Sequence, residues 1–440
     1  MSAPSTLAAE RVKTARPYWL PLTLFCLGHF FIDLYSSALG TMQPVLLDRF
    51  RLSYTQAGIL AGVLVFSSSV IQPVYGYLSD RWHSRLFTVL GPAIAGIFIA
   101  TLGWAPGYAG LLAMVALGGA GIASFHPQAA ANAVAHVRQN RARAMAVFVS
   151  SGSLGMAAGP LFFGALTKGG TLARTPWGML PGLLMTALLL VWMPPIARRP
   201  LPDGRGSDGR SDGRELAGGS ACPAPANTRS VLVAQAVPPA IRNSLTDSDG
   251  RGPAQLAVLR AVWRPMTILY FLVVIRSVVQ VTFTHMLPLY LHTQRNYSLA
   301  AASLCLSLYL LGGALGGMAG GTLADRYGGR RVIVISMIGS VPLLALFVFG
   351  RGAVSLAGLF LGGLILLFTI PVNVVMAQEL APAQAGTVSA LMMGFGWGMA
   401  GLIFIPLTGW VSDMFSMQWA FAGLIAFPLI GFLLALKLPK

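Results

Sequence analysis

The sequence predicts an all-α integral membrane protein whose twelve transmembrane helices form two halves of six (6+6). Three observations support this prediction: an apolar composition, twelve segments long enough to cross a bilayer, and a charged motif that occurs once in each half. Of the 440 residues, 55% are hydrophobic and 10% are charged, and the mean hydropathy is +0.70. Soluble domains carry about 25% charged residues, so this chain has too few polar groups to cover a surface in water.

The twelve spans follow from the rule that a helix needs about 20 apolar residues to cross the hydrocarbon core. Six spans are predicted before the middle of the chain, at about 19–47, 54–78, 86–104, 109–134, 142–167 and 177–195. Six more are predicted after it, at about 265–291, 299–323, 331–350, 353–377, 385–410 and 417–437. The first segment is too long for a signal-peptide core, so we expect it to remain as a helix.

The chain therefore divides into an N-terminal half (1–196), a linker (197–262) and a C-terminal half (263–440). The linker contains a low-complexity run of Gly, Ser, Asp and Arg from Asp203 to Arg214. Such a composition cannot bury a core, so we predict a disordered linker without catalytic content.

The net charge of +17 does not indicate a nucleic-acid-binding protein, because the basic residues lie between apolar spans and not on one basic face. Most of them fall in one set of alternate loops, with the linker: Arg11, Lys13, Arg16, Arg81, Arg85, Arg138, Arg141, Arg143, Arg326, Arg330, Arg331, Lys437 and Lys440. The other set holds only Arg49, Arg51, Lys168, Arg174, Arg295 and Arg351. The positive-inside rule thus predicts that both termini and the linker are cytoplasmic.

The charged motif has the same spacing in both halves, from Gly76 to Arg85 and from Gly321 to Arg331. A solvated hairpin that obeys the positive-inside rule would explain one such turn, but not two in equivalent places. We expect both copies to form a cytoplasmic gate through Gly76, Asp80, Arg81, Arg85, Gly321, Asp325, Arg326 and Arg330. Glu379, at the end of the tenth span, is the expected partner of Arg326 or Arg330. Asp80 is expected to draw on Arg138, Arg141 and Arg143.

The doubled Gly-x-x-x-Asp-Arg-x-x-x-Arg motif resembles the loop motif of the major facilitator superfamily. The stretch from Gly155 to Pro160, followed by Gly164, resembles that superfamily's antiporter motif. Further stretches resemble the fosmidomycin resistance protein family: His29-x-x-x-Asp33, Gln72-Pro73-Val74-x-Gly76-Tyr77, Ser124-Phe125-His126-Pro127, and Ala377-Gln378-Glu379-Leu380-x-Pro382 running into Gly386-x-Val388-Ser389. The resemblance covers both halves but not the linker. One departure is Gln128, where that family tends to have an acidic residue.

The resemblance implies a major facilitator fold in which helices 1, 4, 7 and 10 line a cavity. It implies a transporter in the bacterial inner membrane and not an enzyme. We expect the protein to be a monomer in the lipid bilayer whose partners are a small-molecule substrate and protons, with no nucleic acid. The three cysteines, Cys26, Cys222 and Cys305, show no metal-site or disulfide spacing. We therefore expect no cofactor and no metal.

Ionisable groups inside a span are costly, so each is a candidate functional residue. Asp33 lies near the middle of the first span, with His29 one turn away on the same face. His126 reaches about the same depth in the fourth span, by residue count at ~1.5 Å per residue. We predict that these three residues couple transport to protons, with Asp33 as the carrier. Asp33 as a simple hydrogen-bond acceptor, and His126 as the partner of a carbonyl freed by Pro127, are the open alternatives.

Arg276 is the predicted anion-binding residue, because a guanidinium within the membrane needs a partner. That partner is either Asp33 or an anionic group of the substrate; a structural ion pair is the alternative. Gln280, His285 and Asn373 are weaker candidates for the substrate site. A single Asn can equally bond a neighbouring helix.

Gly152, Gly155, Gly159 and Pro160 are predicted to allow close helix packing and a bend in the fifth span. Met392, Met393 and Phe395 in the eleventh span are more typical of packing than of a drug site.

Together these features predict a proton-coupled secondary active exporter, an antiporter of a small drug-like or anionic compound that works by alternating access. Uptake of a small metabolite by proton symport is the alternative. A membrane enzyme is disfavoured because no nucleophile–base set or metal motif occurs within the spans. A sensor is disfavoured because the linker shows no folded domain.

Overall fold

The computed structural model describes residues 19–82, 84–133, 137, 141–193, 253–381 and 388–438. Within these residues, eleven helices are long and apolar enough to cross a membrane, and a shorter apolar helix lies third in the order. We number them along the chain: α1 Trp19–Phe50, α2 Tyr54–Leu78, α3 Leu86–Ala100, α4 Tyr108–Ala133, α5 Arg143–Leu166, α6 Thr175–Trp192, α7 Trp263–Arg295, α8 Leu299–Tyr327, α9 Gly329–Phe349, α10 Gly352–Leu380, α11 Leu391–Met414 and α12 Met417–Ala435. This order confirms the predicted twelve-helix fold.

The third helix is shorter than its predicted span of 86–104. Its α-helical part ends at Ala100, and the chain continues as the 3-10 turn Leu102–Trp104. Fifteen α-helical residues rise about 22 Å and three 3-10 residues about 6 Å more. The segment thus nearly matches the roughly 30 Å hydrocarbon core.

The charged motifs are helix ends, whereas we expected turns between helices. In the first half the helix runs through Trp82, and in the second half it runs through Tyr327. Nothing in either sequence breaks the helix before these points. The second helix stops at Gly328, whose φ of +90° is a conformation that glycine adopts without strain.

The start of the C-terminal half also differs from the prediction. The helix that contains α7 begins at Pro253, so residues 253–262 of the predicted linker are helical. The remainder of that linker, including the run from Asp203 to Arg214, lies outside the described residues.

The two halves repeat each other in local geometry. Arg51 and Asn296 both have a positive φ, of 50° and 57°, just before α2 and α8. The hydroxyl groups of Ser53 and Ser298 then cap the N-termini of these helices. Each pair is separated by the same 245 positions as Asp80 and Asp325, so the sequence repeat is also a structural repeat.

Among the described residues the halves meet chiefly through three helix pairs, α1–α7, α2–α11 and α5–α8. We call the two ends of the bundle the charged-turn end (residues 76–86 and 321–331) and the Asp413 end (residues 50–55 and 412–417). At the Asp413 end the backbones of α2 and α11 touch: a Cβ on Gly58 would lie 2.7 Å from the Ile405 carbonyl oxygen. Such close approach requires glycine.

The hydrophobic cores show that the halves separate toward the charged-turn end. One large core contains buried residues of both halves. A second core contains residues of the C-terminal half alone, all near the charged-turn end: Leu269, Leu272, Val273, Val332, Ile333, Met337, Val372, Ala377, Val388, Met392, Ala435 and Leu438. The halves thus pack together at the Asp413 end, and this part of the C-terminal half packs on itself.

Candidate functional site

Asp33 lies between two histidines at the centre of the N-terminal half. One carboxylate oxygen, Oδ2, is 3.3 Å from Nε2 of His29, and the other, Oδ1, is 3.3 Å from Nε2 of His126. The Asp33 and His29 residues are 9% and 7% exposed, and the His126 side chain is 21% exposed. His29 and Asp33 are one turn apart on α1, whereas His126 comes from α4. The structure therefore brings together the three residues that were predicted to couple protons.

The His29 ring is held by α5. It stacks on Phe148 with ring centroids 4.2 Å apart, and its Nδ1 lies 2.7 Å from the Phe148 carbonyl oxygen. Gly152, one turn further on, leaves room for the ring. A Cβ at that position would lie 2.5 Å from both His29 Nε2 and Asp33 Oδ2, which is a distance that real Cβ atoms do not adopt.

His126 is held by its own helix. Its Nδ1 lies 2.8 Å from the carbonyl oxygen of Ile122. Pro127 has no N–H, so the carbonyl that loses its helical donor is that of Ala123. His126 thus does not contact the freed carbonyl, and that alternative explanation of the residue does not fit the geometry.

The two Nδ1 contacts define the hydrogen bonding of the cluster. A carbonyl oxygen only accepts, so we assign an N–H to Nδ1 of both His29 and His126. Each Nε2 then faces an oxygen of Asp33. When Asp33 is ionised and both rings are neutral, lone pairs face each other in both contacts. A proton on Nε2 or on the carboxylate converts a contact into a hydrogen bond. The cluster can therefore hold additional protons. One nitrogen of each histidine and one oxygen of Asp33, the atoms that could ligate a metal ion, lie within 4.8 Å of one another.

The fifth-helix glycines lie where α5 crosses α1. A Cβ on Gly155 would lie 2.7 Å from the Phe30 carbonyl carbon, and one on Gly159 would lie 3.3 Å from that of Leu34. The Ser37 hydroxyl donates to the Met156 carbonyl oxygen across the same contact, at 2.8 Å. Pro160 follows in the same helix. Close packing of α5 thus fixes α1, and with it the cluster.

Gln128 points away from the cluster. Its side chain accepts a hydrogen bond from Thr88 of α3 and donates to the Ser84 carbonyl oxygen at 3.1 Å. The residue is 7% exposed. It connects α4 to the start of α3.

Arg276 is a buried cation on α7. Its residue is 5% exposed, it donates to Gln280 one turn later, and its guanidinium carbon is 5.9 Å from the centre of the Trp397 ring. Among the described residues no carboxylate lies within ion-pairing distance of Arg276, and its Nε has no hydrogen-bond partner. Both Asp33 oxygens contact histidines, so Asp33 is not the partner of Arg276 in this conformation.

Arg276 nevertheless lies at about the depth of Asp33. The backbones of α1 and α7 touch at Gly40, where a Cβ would lie 3.1 Å from His285 Cα. Asp33 is seven residues before Gly40, or about 10 Å, and Arg276 is nine residues before His285, or about 13 Å.

The other two predicted substrate residues are also buried. His285 is 4% exposed and lies at the α1–α7 contact, and its Nδ1 has no partner in the described part of the chain. Asn373 on α10 is fully buried, and neither its amide nitrogen nor its oxygen has a partner there. An unpaired buried amide group is costly.

The predicted gate is not formed among the described residues. Arg330 donates to the Leu436 carbonyl oxygen at 2.8 Å and makes no ion pair with Glu379. Arg326 stacks over the ring of Tyr327. The gate partners in the first half lie outside the described side chains: Asp80, Arg138 and Arg141.

Four further residues of the predicted gate contact their own half: Arg81, Arg85, Gly76 and Gly321. Arg81 donates to the Tyr77 hydroxyl at 3.4 Å, and Arg85 donates to the Met193 carbonyl oxygen at 3.1 Å. The two motif glycines have matching neighbours. A Cβ on Gly76 would lie 3.6 Å from Pro127 of α4, and one on Gly321 would lie 3.9 Å from Pro371 of α10.

Sequence reasoning missed Asp413, which joins the two halves at the opposite end. Its Oδ1 accepts the Tyr54 N–H at 2.9 Å, and its Oδ2 accepts the Thr55 N–H at 2.8 Å and the Thr55 hydroxyl at 2.5 Å. A carboxylate of α11 thus caps the N-terminus of α2, where the helix dipole favours negative charge. The only signal in the sequence was an acidic residue near the end of the eleventh span.

Comparison with known proteins agrees with this architecture. The sequence profile described as Major Facilitator Superfamily matches residues 25–395 and 269–440. The chain is 27% identical over 384 residues to the uncharacterized MFS-type transporter YfnC of Bacillus subtilis (strain 168), covering 87% of this chain and 84% of that protein. It is 25% identical over 411 residues to the fosmidomycin resistance protein of Escherichia coli (strain K12), covering 93% and 91%.

Two solved structures share the fold. A bacterial homolog of the human lysosomal transporter Spinster, in an inward-facing and occupied conformation, superposes with a TM-score of 0.73 at 13% identity, covering 96% of this chain and 97% of that one. The nucleoside transporter NupG superposes with a TM-score of 0.64 at 14% identity, covering 95% and 98%. The profile match spans both halves around the described cluster, and the chain is therefore a multi-pass membrane protein that belongs to the Major Facilitator Superfamily.

Proposed function

We propose that this protein is a proton-coupled exporter, an antiporter that moves a small drug-like or anionic compound out of the cell by alternating access. The observation that carries the proposal is the buried cluster of Asp33 with His29 and His126. The similarity to a protein named fosmidomycin resistance protein supports a drug-like compound as the substrate. The antiporter-like glycines of α5 support export as the direction of transport.

The cluster supplies the coupling chemistry. One added proton turns one of the two Nε2–carboxylate contacts into a hydrogen bond. Two added protons turn both contacts into hydrogen bonds. A rocking of the halves changes the water and the charges around these groups, and thereby changes which protonation state is stable. Asp33 is the carrier because both contacts converge on its carboxylate. In an exporter the cluster loads from the periplasm and releases to the cytoplasm.

Arg276 supplies the anion site. An isolated buried charge is costly, so a guanidinium that has no carboxylate partner favours an incoming anion. Arginine binds phosphonate and carboxylate groups with two parallel hydrogen bonds. Gln280 already contacts Arg276 and orients it, and the unpaired amide of Asn373 is a further polar group for the ligand.

Alternating access follows from the unequal ends of the bundle. The Asp413 end is closed by the α2–α11 contact, and the two halves have separate cores toward the charged-turn end. Toward the charged-turn end of their contact, α2 contains the π-helical segment Phe66–Val70, and α11 begins within a second one, Ala390–Phe395. A Cβ on Gly394 would lie 3.6 Å from the Ser69 carbonyl oxygen. Such segments mark functional points in helices, and we assign these as the pivot of the two helices.

In this scheme the charged-turn end is cytoplasmic and the Asp413 end is periplasmic, as the positive-inside rule predicts. The paired motifs close the cytoplasmic side only when the carrier faces outward. Glu379 and Arg330 would then form their pair as Asp413 releases α2. The protein functions as a monomer in the inner membrane in this proposal, with both termini in the cytoplasm.

Transport of protons tests the role of Asp33. In everted vesicles with an acidified interior, addition of substrate should release protons from the lumen of wild-type vesicles, and Asp33→Asn should abolish this release. Asp48→Asn is the matched control, because Asp48 is exposed and makes no hydrogen bond or ion pair with described residues. Normal proton release in Asp33→Asn would remove Asp33 from the mechanism.

Drug tolerance tests the direction of transport. Expression in an efflux-deficient bacterium should raise tolerance to at least one compound of a panel that includes fosmidomycin. Unchanged tolerance together with increased uptake of a metabolite would instead establish symport.

Charge reversal tests the anion site. Arg276→Glu should reduce transport of anionic substrates at least tenfold and affect neutral ones much less. An equal loss for both classes would indicate that Arg276 is structural.

A further inference from the structure

The cluster of His29, Asp33 and His126 also has the composition of a metal site. Sequence analysis predicted no metal, because the three cysteines show no metal-site spacing and no metal motif occurs within the spans. The fold places both Nε2 atoms and the Asp33 carboxylate within 4.8 Å of one another. From these contacts we infer that the cluster binds a divalent transition-metal ion, in competition with protons.

The spacing of the donor atoms fits a transition metal. Around a tetrahedral ion with bonds of about 2.0–2.1 Å, neighbouring ligand atoms are about 3.3 Å apart. The two Nε2–carboxylate distances are 3.3 Å each. A small rotation of the Asp33 carboxylate and a contraction between the two rings complete the set. Two imidazoles and a carboxylate favour ions such as Zn²⁺ over Mg²⁺ and Ca²⁺, which prefer all-oxygen sites.

The second observation concerns the groups that hydrogen-bond to the two ligating histidine rings. A histidine that binds metal through Nε2 almost always donates its Nδ1–H to a carbonyl or carboxylate, which fixes the tautomer and the ring. Here His29 Nδ1 lies 2.7 Å from the Phe148 carbonyl oxygen, and His126 Nδ1 lies 2.8 Å from that of Ile122. Both rings therefore present an Nε2 lone pair to Asp33, on supports that come from two different helices.

The charge and the access of the cluster also suit a cation. Both Nε2 lone pairs face the Asp33 carboxylate, and no arginine or lysine pairs with Asp33 among the described residues. Three protein ligands leave a fourth position open, as in catalytic zinc sites, where a water or a substrate fills it. The His126 side chain is 21% exposed, so the cluster is not sealed on that side.

Metal and proton use the same lone pairs, so binding of one excludes the other. An ion at the cluster should therefore block proton loading and inhibit the transport proposed above. Only this consequence depends on the proposed function, because metal binding itself is measured without substrate or a pH gradient.

The test is calorimetric titration of Zn²⁺ into the purified full-length protein, prepared without a polyhistidine tag. We expect one Zn²⁺ per chain at pH 7.5, at least tenfold weaker binding at pH 5.5, and no effect of excess Mg²⁺. Asp33→Asn and His126→Gln should each weaken binding at least tenfold. His292→Gln is the matched control and should bind as wild type, because His292 lies in the other half, where its hydrogen bond is with the Tyr297 carbonyl oxygen.

Retention of the wild-type elution volume and melting temperature shows that each variant is folded. Absence of binding by the wild type would overturn the inference, as would unchanged affinity in both cluster variants or loss of affinity in His292→Gln. Proton transport by the wild type with no Zn²⁺ binding would reject the metal site and keep the proposed function. Zn²⁺ binding without proton transport would keep the metal site and reject the proposed function.

Discussion

Substitution of Asp413 by Asn should open the Asp413 end of the transporter. The carboxylate accepts three hydrogen bonds from Tyr54 and Thr55 across the interface between the halves. Asn keeps one acceptor oxygen, loses the charge and turns an NH₂ group toward an N–H donor. A hydrogen bond to a charged group contributes about 1.5–3 kcal/mol, and the charge at a helix N-terminus contributes about 0.3–1 kcal/mol.

Asp413 is exposed, so solvent screening places the combined loss at about 1–3 kcal/mol. That loss applies to the closed end alone, because α2 and α11 part when the end opens. The ratio of open to closed molecules should therefore rise about 5- to 150-fold.

Double electron–electron resonance, which gives the distances between two spin labels, measures the ratio of open to closed molecules directly. Labels at Arg51 and Phe415, both exposed at the Asp413 end, would report the separation of the halves in a background without the three native cysteines. The Asp413→Asn variant should show a larger long-distance population than the wild type, and Asp48→Asn should not. An unchanged distribution in Asp413→Asn, or the same change in both variants, would refute the reasoning.

Two further substitutions test the surroundings of the cluster. Gly152→Ala should displace His29 and Asp33, lower the melting temperature and reduce substrate-driven proton release. Gly317→Ala is the control and should be neutral, because a Cβ at Gly317 meets nothing within 4 Å. Equal behaviour of the two variants would contradict this packing. Gln128→Glu should destabilise the protein by about 1–3 kcal/mol, because a carboxylate cannot donate to the Ser84 carbonyl oxygen. A Gln128→Glu variant that instead changed the pH dependence of proton release at unchanged melting temperature would place this residue in the coupling site.

The sequence alone predicted the architecture for a physical reason. In a bilayer every backbone polar group must be bonded within its own helix, so length and apolarity identify a span without knowledge of its neighbours. The 245-position repeat of Asp80 and Asp325 then predicted two related halves. The same reasoning placed Asp33 and Arg276 inside the membrane, where an ionisable group stands out.

Helix ends were predicted less well, because apolarity does not report where a helix stops outside the hydrocarbon core. The charged motifs extend α2 and α8 by polar helical residues, and the helix of α7 starts at Pro253 in the predicted linker. The third span ends as a 3-10 turn, which hydropathy cannot distinguish from an α-helix.

Only the tertiary structure decided what the polar residues contact. His126 reaches Asp33 from another helix, Gln128 bonds to α3 instead, and Asp413 caps a helix of the other half. These contacts join positions far apart in the chain, and they depend on how closely α1, α4 and α5 pack. Spacing along one helix determines which face a residue occupies and how deep it lies in the membrane. Its partner on a neighbouring helix is determined by how closely the two backbones pack, which depends on glycines such as Gly152 and Gly58.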